Sequence, residues 1–253
     1  MTVLRDTWIV FGRYWWLFLR NPVWVIIGIV QPVFYLILFA PLLEGISRSP
    51  GFPPGGAYNV FVPGLLIQLG LFGASGVGFG LIAELRSGVI ERLRVTPVSR
   101  FALLFGRTAR DILIMVIQAT ILILLSLPFG LSIHPLGIVL MLALLALLGL
   151  MMTPVSYALA LLTGNEDSFA PLIFTGSLPL LLLSGVLLPL NFAPDWLRLI
   201  AAANPLAYAV DASRAIFNDR LTDPTIGISI VIMAVLAALA VSWAARAFGR
   251  AVA

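Results

Sequence analysis

Six stretches of this chain contain no Asp, Glu, Arg or Lys: residues 23–43, 60–83, 112–129, 136–162, 169–190 and 226–245. A helix needs about 20 residues to cross the roughly 30 Å hydrocarbon core of a bilayer. The shortest stretch has 18 residues, and helix-compatible sequence extends it back to residue 101. One such stretch suits the core of a soluble domain; six in succession do not. Only 10% of residues are charged and 61% are hydrophobic, where soluble domains carry about a quarter charged residues. The predicted fold is all-α. It is a single polytopic membrane domain over residues 1–253, with six transmembrane helices at 23–43, 60–83, 101–129, 136–162, 169–190 and 226–245.

Composition also removes chemistries. All fifteen basic residues are Arg, so the chain has no phosphate-loop lysine and no Schiff-base lysine. It has no Cys, which excludes thiol catalysis and thiolate metal sites. The single His, His134, sits in a short linker and cannot form a His-rich metal site. With the N-terminus in the cytoplasm, eleven Arg fall inside and only Arg48, Arg198, Arg214 and Arg220 outside. That bias predicts cytoplasmic termini. It also accounts for the basic pI, and no nucleic-acid partner is needed.

Residues 1–22 read as an amphipathic interfacial helix. Asp6, Arg13 and Arg20 recur every seven residues as one polar stripe, among Trp8, Tyr14, Trp15 and Trp16. Arg20-Asn21-Pro22 ends it, because the residue before proline avoids the α region. In the second span Gly70, Ala74 and Gly78, with Gly76 and Gly80, fit either tight intrachain packing or a dimer contact. Pro171, Pro179 and Pro189 predict an irregular or broken fifth span. Residues 191–225 read as a helix from Asp195, a break at Asn204-Pro205, and a second helix with Asp211 and Arg214 at i, i+3. Each is too short to cross, which predicts a re-entrant hairpin on the outer side. Glu166 and Asp167 read as helix-capping residues.

Charge concentrates between spans two and three, in "ELRSGVIERLRVTPVSR". Stepped at 100° per residue as one helix over 84–95, Glu84, Ser87, Gly88, Glu91, Arg92 and Arg94 share a side opposite Leu85, Val89, Ile90 and Leu93; Arg86 departs from the pattern. Thr96-Pro97 reads as an N-cap and first helical proline opening span three. Periodicity alone leaves a topological anchor and a docking surface equally open.

These residues resemble a family. Glu84-x-Arg86-x-Gly88-x-x-Glu91-Arg92-Leu93, with Thr96-Pro97-Val98-Ser99 and Gly106-Arg107, is similar to the segment between spans two and three of type-2 ABC exporter permeases. "NPLAYAVDASRAIF" resembles the daunorubicin-efflux-like, drug-resistance branch. The resemblance implies a permease half-transporter without its own ATPase site. Two copies would form a homodimer in the plasma membrane of a prokaryote, docked on two cytoplasmic ABC ATPase subunits that hold the ATP and Mg. It further implies that Glu84, Arg86, Gly88, Glu91, Arg92, Arg94, Thr96 and Pro97 form a coupling helix. Asn204, Pro205, Asp211 and Arg214 would belong to the hairpin capping the exit.

The charge-free stretches offer only neutral polar groups to a pathway, among them Gln31, Gln68, Gln118 and Tyr157. Such a lining suits hydrophobic or amphiphilic compounds, and lipid-linked polysaccharide is the alternative cargo. Ion-coupled carriers usually place acids or His at mid-membrane depth, so an independent secondary carrier is the weaker expectation.

Overall fold

Length and caps turn most of the charge-free stretches into helices. The computed structural model describes residues 3–20, 23–39, 41–42, 45, 56–94, 98–187 and 189–251. In chain order the helices are α1 (Val3–Leu19), α2 (Val23–Phe34), α3 (Gly56–Arg86), α4 (Val89–Arg94), α5 (Arg100–Ser126) and α6 (Pro135–Thr163). They continue as α7 (Glu166–Leu182), α8 (Asp195–Ala201), α9 (Pro205–Phe217) and α10 (Pro224–Ala251). Among the described residues there is no strand.

Of these helices, α3, α5, α6 and α10 are long and apolar enough to cross a membrane. The other two expected spans form shorter helices. Pro32 interrupts the hydrogen-bond ladder of α2, which gives way to a π-helical turn, Tyr35–Phe39. The expected span 169–190 begins earlier, at Asn165, whose side chain accepts from the Ser168 N–H. Glu166 and Asp167 occupy its first turn, where negative charge complements the helix dipole. It ends at Leu182, just past Pro179, and Gly185 then turns the chain with a φ of 76°. So α7 has 17 residues, about 26 Å at 1.5 Å per residue.

Two expectations between spans two and three need correction. Residues 84–95 are not one helix. Glu84 and Arg86 lie in the last turn of α3, Gly88 breaks the chain with a φ of 68°, and α4 restarts at Val89. Only glycine takes that left-handed conformation without strain. The cap of α5 is also not Thr96-Pro97, which lie outside the described residues. It is Ser99, whose hydroxyl accepts from the Ala102 N–H at 3.1 Å.

α3 is the hub of the bundle. Every residue from Asn59 to Leu71 is buried, and the main apolar core joins Phe61, Leu65 and Leu66 to Met115, Leu148 and Val210 from α5, α6 and α9. A second core at the α4 end joins Leu81, Ile90, Leu104, Tyr157, Phe169 and Phe248. Lipid tails are as apolar as leucine, so close packing must drive helix association. Gly70 and Gly78 serve it within the chain: a Cβ would lie 2.7 Å from a Leu148 methyl at one and 2.9 Å from the Ser156 carbonyl at the other.

The interfacial stripe expected on α1 is divided. Asp6, Val10 and Tyr14 are buried, with Val10 and Tyr14 packed against Leu103 of α5. Arg13, Arg20, Trp8 and Trp16 remain exposed. Asp6 and Tyr14 therefore face protein, because spacing alone does not show which side of an amphipathic helix a neighbour covers. The helices expected at Asp195 and after Asn204-Pro205 form as α8 and α9, with the Asn204 side chain capping the Leu206 N–H.

Candidate functional site

A buried polar cluster lies where α1, α3, α5 and α6 meet. α5 presents Arg107 and Asp111 one turn apart on its buried side. Arg107 is 2% exposed, and its Nη2 donates to both the Tyr14 hydroxyl of α1 and Glu84 Oε2 of α3. Tyr14 donates to the same carboxylate oxygen at 2.9 Å. The guanidinium carbon lies 4.5 Å from the Tyr14 ring centroid and 6.0 Å from that of Tyr157. From α6, Tyr157 donates to Asp111 Oδ2. Arg110 Nε stands 3.1 Å from Asp111 Oδ1, near enough for an ion pair but not aligned for a hydrogen bond.

Two guanidiniums face two carboxylates, so the cluster is neutral as a whole. Pairing of this kind makes buried charge tolerable, and loss of one partner leaves the other stranded. Burial pushes the Tyr14 phenol up to about 12; the Arg107 charge opposes that shift and the Glu84 charge adds to it. Tyr14 therefore stays protonated as a donor across the physiological range.

The sequence reading placed Glu84 on the outward side of a docking helix. The structure turns it inward, because its direction is set by the phase of α3 and not by α4. It also finds ionisable groups inside a long span helix, against the expectation that the spans hold none: Arg107, Arg110 and Asp111 belong to the first half of α5. Tyr14, Arg110 and Asp111 were missed as site residues, and Arg107 entered only through a motif. The readable signal was an Arg and an Asp at i, i+4 running into an apolar helix.

Of the other expected coupling residues, Arg86 is exposed and pairs with Glu166 Oε1 at 3.4 Å. A solvated bridge of this kind contributes about 0–1 kcal/mol. Arg92 is exposed, while Ile90 anchors α4 in the second core. The side chains of Glu91 and Arg94 lie outside the described residues. Of the pathway candidates, Gln31 is exposed on α2, whereas Gln68, Gln118 and Tyr157 are buried inside the bundle. Gln68 Oε1 has no hydrogen-bond partner among the described residues.

At the opposite end, Arg214 is buried and grips two backbone carbonyls: Nε donates to Val60 O at 3.1 Å and Nη2 to Gly185 O at 2.7 Å. Asp211, one turn before it, is exposed. Asn204 donates to Leu180 O at 2.7 Å, and Asn59 to Ser132 and to Phe217 O. α9 is thus tied to α3 and to the turn after α7. Beside it, Asn59, Ser132, His134 and Asp219 help line a cavity of about 550 Å³.

Residues 5–218, which contain both constellations, match the family model described as ABC-2 type transporter. The chain belongs to the ABC-2 type transporter family. It is 31% identical over 201 residues to a putative transport permease, ycf38, of Cyanophora paradoxa, covering 79% of this chain and 69% of that one. The corresponding protein of Porphyra purpurea is 32% identical over 216 residues, 83% of this chain and 74% of the other. A daunorubicin resistance ABC transporter permease protein, DrrB1, of Streptomyces coeruleorubidus is 24% identical over 224 residues, 88% and 78% of the two chains. The drug-resistance resemblance read from "NPLAYAVDASRAIF" agrees with this relative. ABC-2 permeases are membrane-spanning transport subunits that normally work with an ATP-binding subunit.

Proposed function

We propose that this permease is the membrane half of an ATP-driven exporter of hydrophobic or amphiphilic compounds. It crosses the membrane six times with both termini in the cytoplasm, and works as a homodimer on two ATPase subunits. Residues 84–94 meet the ATPase, and α8 with α9 cap the outer exit. One observation carries this reading: Glu84, where the charged segment begins, is held by Arg107 and Tyr14. A push on α4 travels through Gly88 to Glu84, then to α1 and α5, and by Asp111 and Tyr157 to α6. The absent lysine leaves ATP hydrolysis to the partner.

The test substitutes a docking residue outside that cluster. Glu91→Arg should leave normal amounts of protein in the membrane while export and substrate-stimulated ATPase activity collapse, since like charges across an interface can cost several kcal/mol. Wild-type export by this variant would make 84–94 a topological anchor. The buried Asp111–Tyr157 pair is what a proton-coupled carrier would use. Vesicles holding only this chain that accumulate substrate under a proton gradient would establish that reading instead.

A further inference from the structure

The two halves of α3 are held by different partners. Its first half is bolted down: Arg214 grips the Val60 carbonyl, Asn59 bonds to Ser132 and Phe217, and a Cβ on Gly64 would lie 2.9 Å from the Val186 carbonyl. Beyond Leu71 the burial alternates: Gly73, Gly80 and Ala83 are exposed, while Ala74, Ser75, Gly78, Leu81 and Ile82 are buried.

Between the halves runs Gly73-Ala74-Ser75-Gly76-Val77-Gly78-Phe79-Gly80. Packing explains only one of its four glycines. A Cβ at Gly78 would meet Ser156 O and the Phe169 ring, whereas Gly73, Gly76 and Gly80 have nothing within 4 Å of where theirs would sit. Each interior glycine disfavours the helix by a factor of about five against alanine, so three unneeded ones weaken it on the order of a hundredfold. The same turn is invaded by a side chain. The Ser156 hydroxyl of α6 accepts from the Gly78 N–H at 3.0 Å and donates to the Ser75 carbonyl at 2.6 Å. Both groups are needed by the helix's own ladder, and a side chain inserted there is a recognised cause of bending.

We infer that α3 contains a hinge at Ser75–Gly80, with Ser156 as the group that receives the freed backbone bonds when it bends. The half before it stays fixed to α9, and the half after it swings with Glu84 and α4. Its use in transport rests on the ATP-driven reading above; the softness of the helix does not.

Amide hydrogen exchange on the purified chain tests the hinge. Amides of residues 74–82 should exchange at least tenfold faster than those of 61–71. Ser156→Ala should slow them, and the triple change Gly73→Ala, Gly76→Ala, Gly80→Ala, which fits the open space, should slow them on the order of a hundredfold. Unchanged exchange in both variants overturns the hinge. So does a triple variant whose exchange is unchanged while its oligomeric state shifts, which would make the glycines a contact for a second copy. Spin labels on introduced cysteines then test its use in the complex with the ATPase. On adding nucleotide the Ala83–Leu162 distance should change and the Gly56–Leu136 distance should not. Both distances shifting together overturns the hinge. Fast exchange with neither distance responding leaves the hinge standing and removes the ATP-driven reading.

Discussion

Arg107 and Glu84 should behave as one unit, and a double-mutant cycle measures that. Arg107 is 2% exposed and the Glu84 side chain 23%. Removing one member of a buried ion pair costs about 3–5 kcal/mol, but water reaches part of Glu84, so Glu84→Gln should lose about 2–3 kcal/mol. Arg107→Gln is worse. It leaves Glu84 and Asp111 with Arg110 as the remaining guanidinium of the cluster, and should lose about 3–4 kcal/mol. Independent effects would sum to about 5–7 kcal/mol in the double variant, but two neutral amides strand no charge. The double variant should lose only about 2–4 kcal/mol, a coupling of roughly 3 kcal/mol. Denaturant titration of the purified protein in mixed micelles, followed by tryptophan fluorescence, reads all three. Export should fail in the double variant even though it is about as stable as either single variant, because the amides no longer transmit a charge interaction. Additivity within about 0.5 kcal/mol would refute the reasoning.

At the other end, Arg214→Met removes two bonds to backbone carbonyls but also a buried charge. Charge-assisted bonds contribute about 1.5–3 kcal/mol each, so a net loss of roughly 2 kcal/mol, read as a lower thermal midpoint, is expected; an unchanged midpoint would show that α9 is held by apolar packing alone. Orientation is open to labelling in this cysteine-free chain. Cysteine at Asn218 should react with an impermeant thiol reagent from outside and cysteine at Ser87 should not, and the reverse pattern would invert the topology.

What the sequence disclosed follows from how local each signal is. Membrane character, the four longest helices and the break between α8 and α9 at Asn204-Pro205 rest on runs of apolar residues or on proline, and these were readable. The Ser99 cap was displaced in the reading by a stronger-looking Thr-Pro pair three residues earlier, because capping preferences rank residues without saying which turn the helix adopts. The inward Glu84 was not readable, since one left-handed glycine resets the helical phase. Tyr14 and Asp111 were missed because their partners lie 70 and 46 residues away, a separation that no periodicity reports.

The two buried arginines divide the work at the ends of α3. Each bridges two separate elements with one planar fork, Arg107 joining Tyr14 to Glu84 and Arg214 joining Val60 to Gly185. The rigid fork suits Arg to two acceptors fixed in different elements, a geometry that a lysine ammonium on its flexible stem does not hold. The acceptors differ, however. Arg214 takes backbone carbonyls, whose positions are fixed by the helix and turn that carry them, and so it clamps. Arg107 takes a carboxylate that also accepts from Tyr14, next to a second Arg–Asp–Tyr set, so its partners can be exchanged without leaving a charge alone. A clamp at one end and a shared carboxylate at the other are what the inferred hinge requires if the Glu84 end is to swing. That is the end from which residues 84–94 continue.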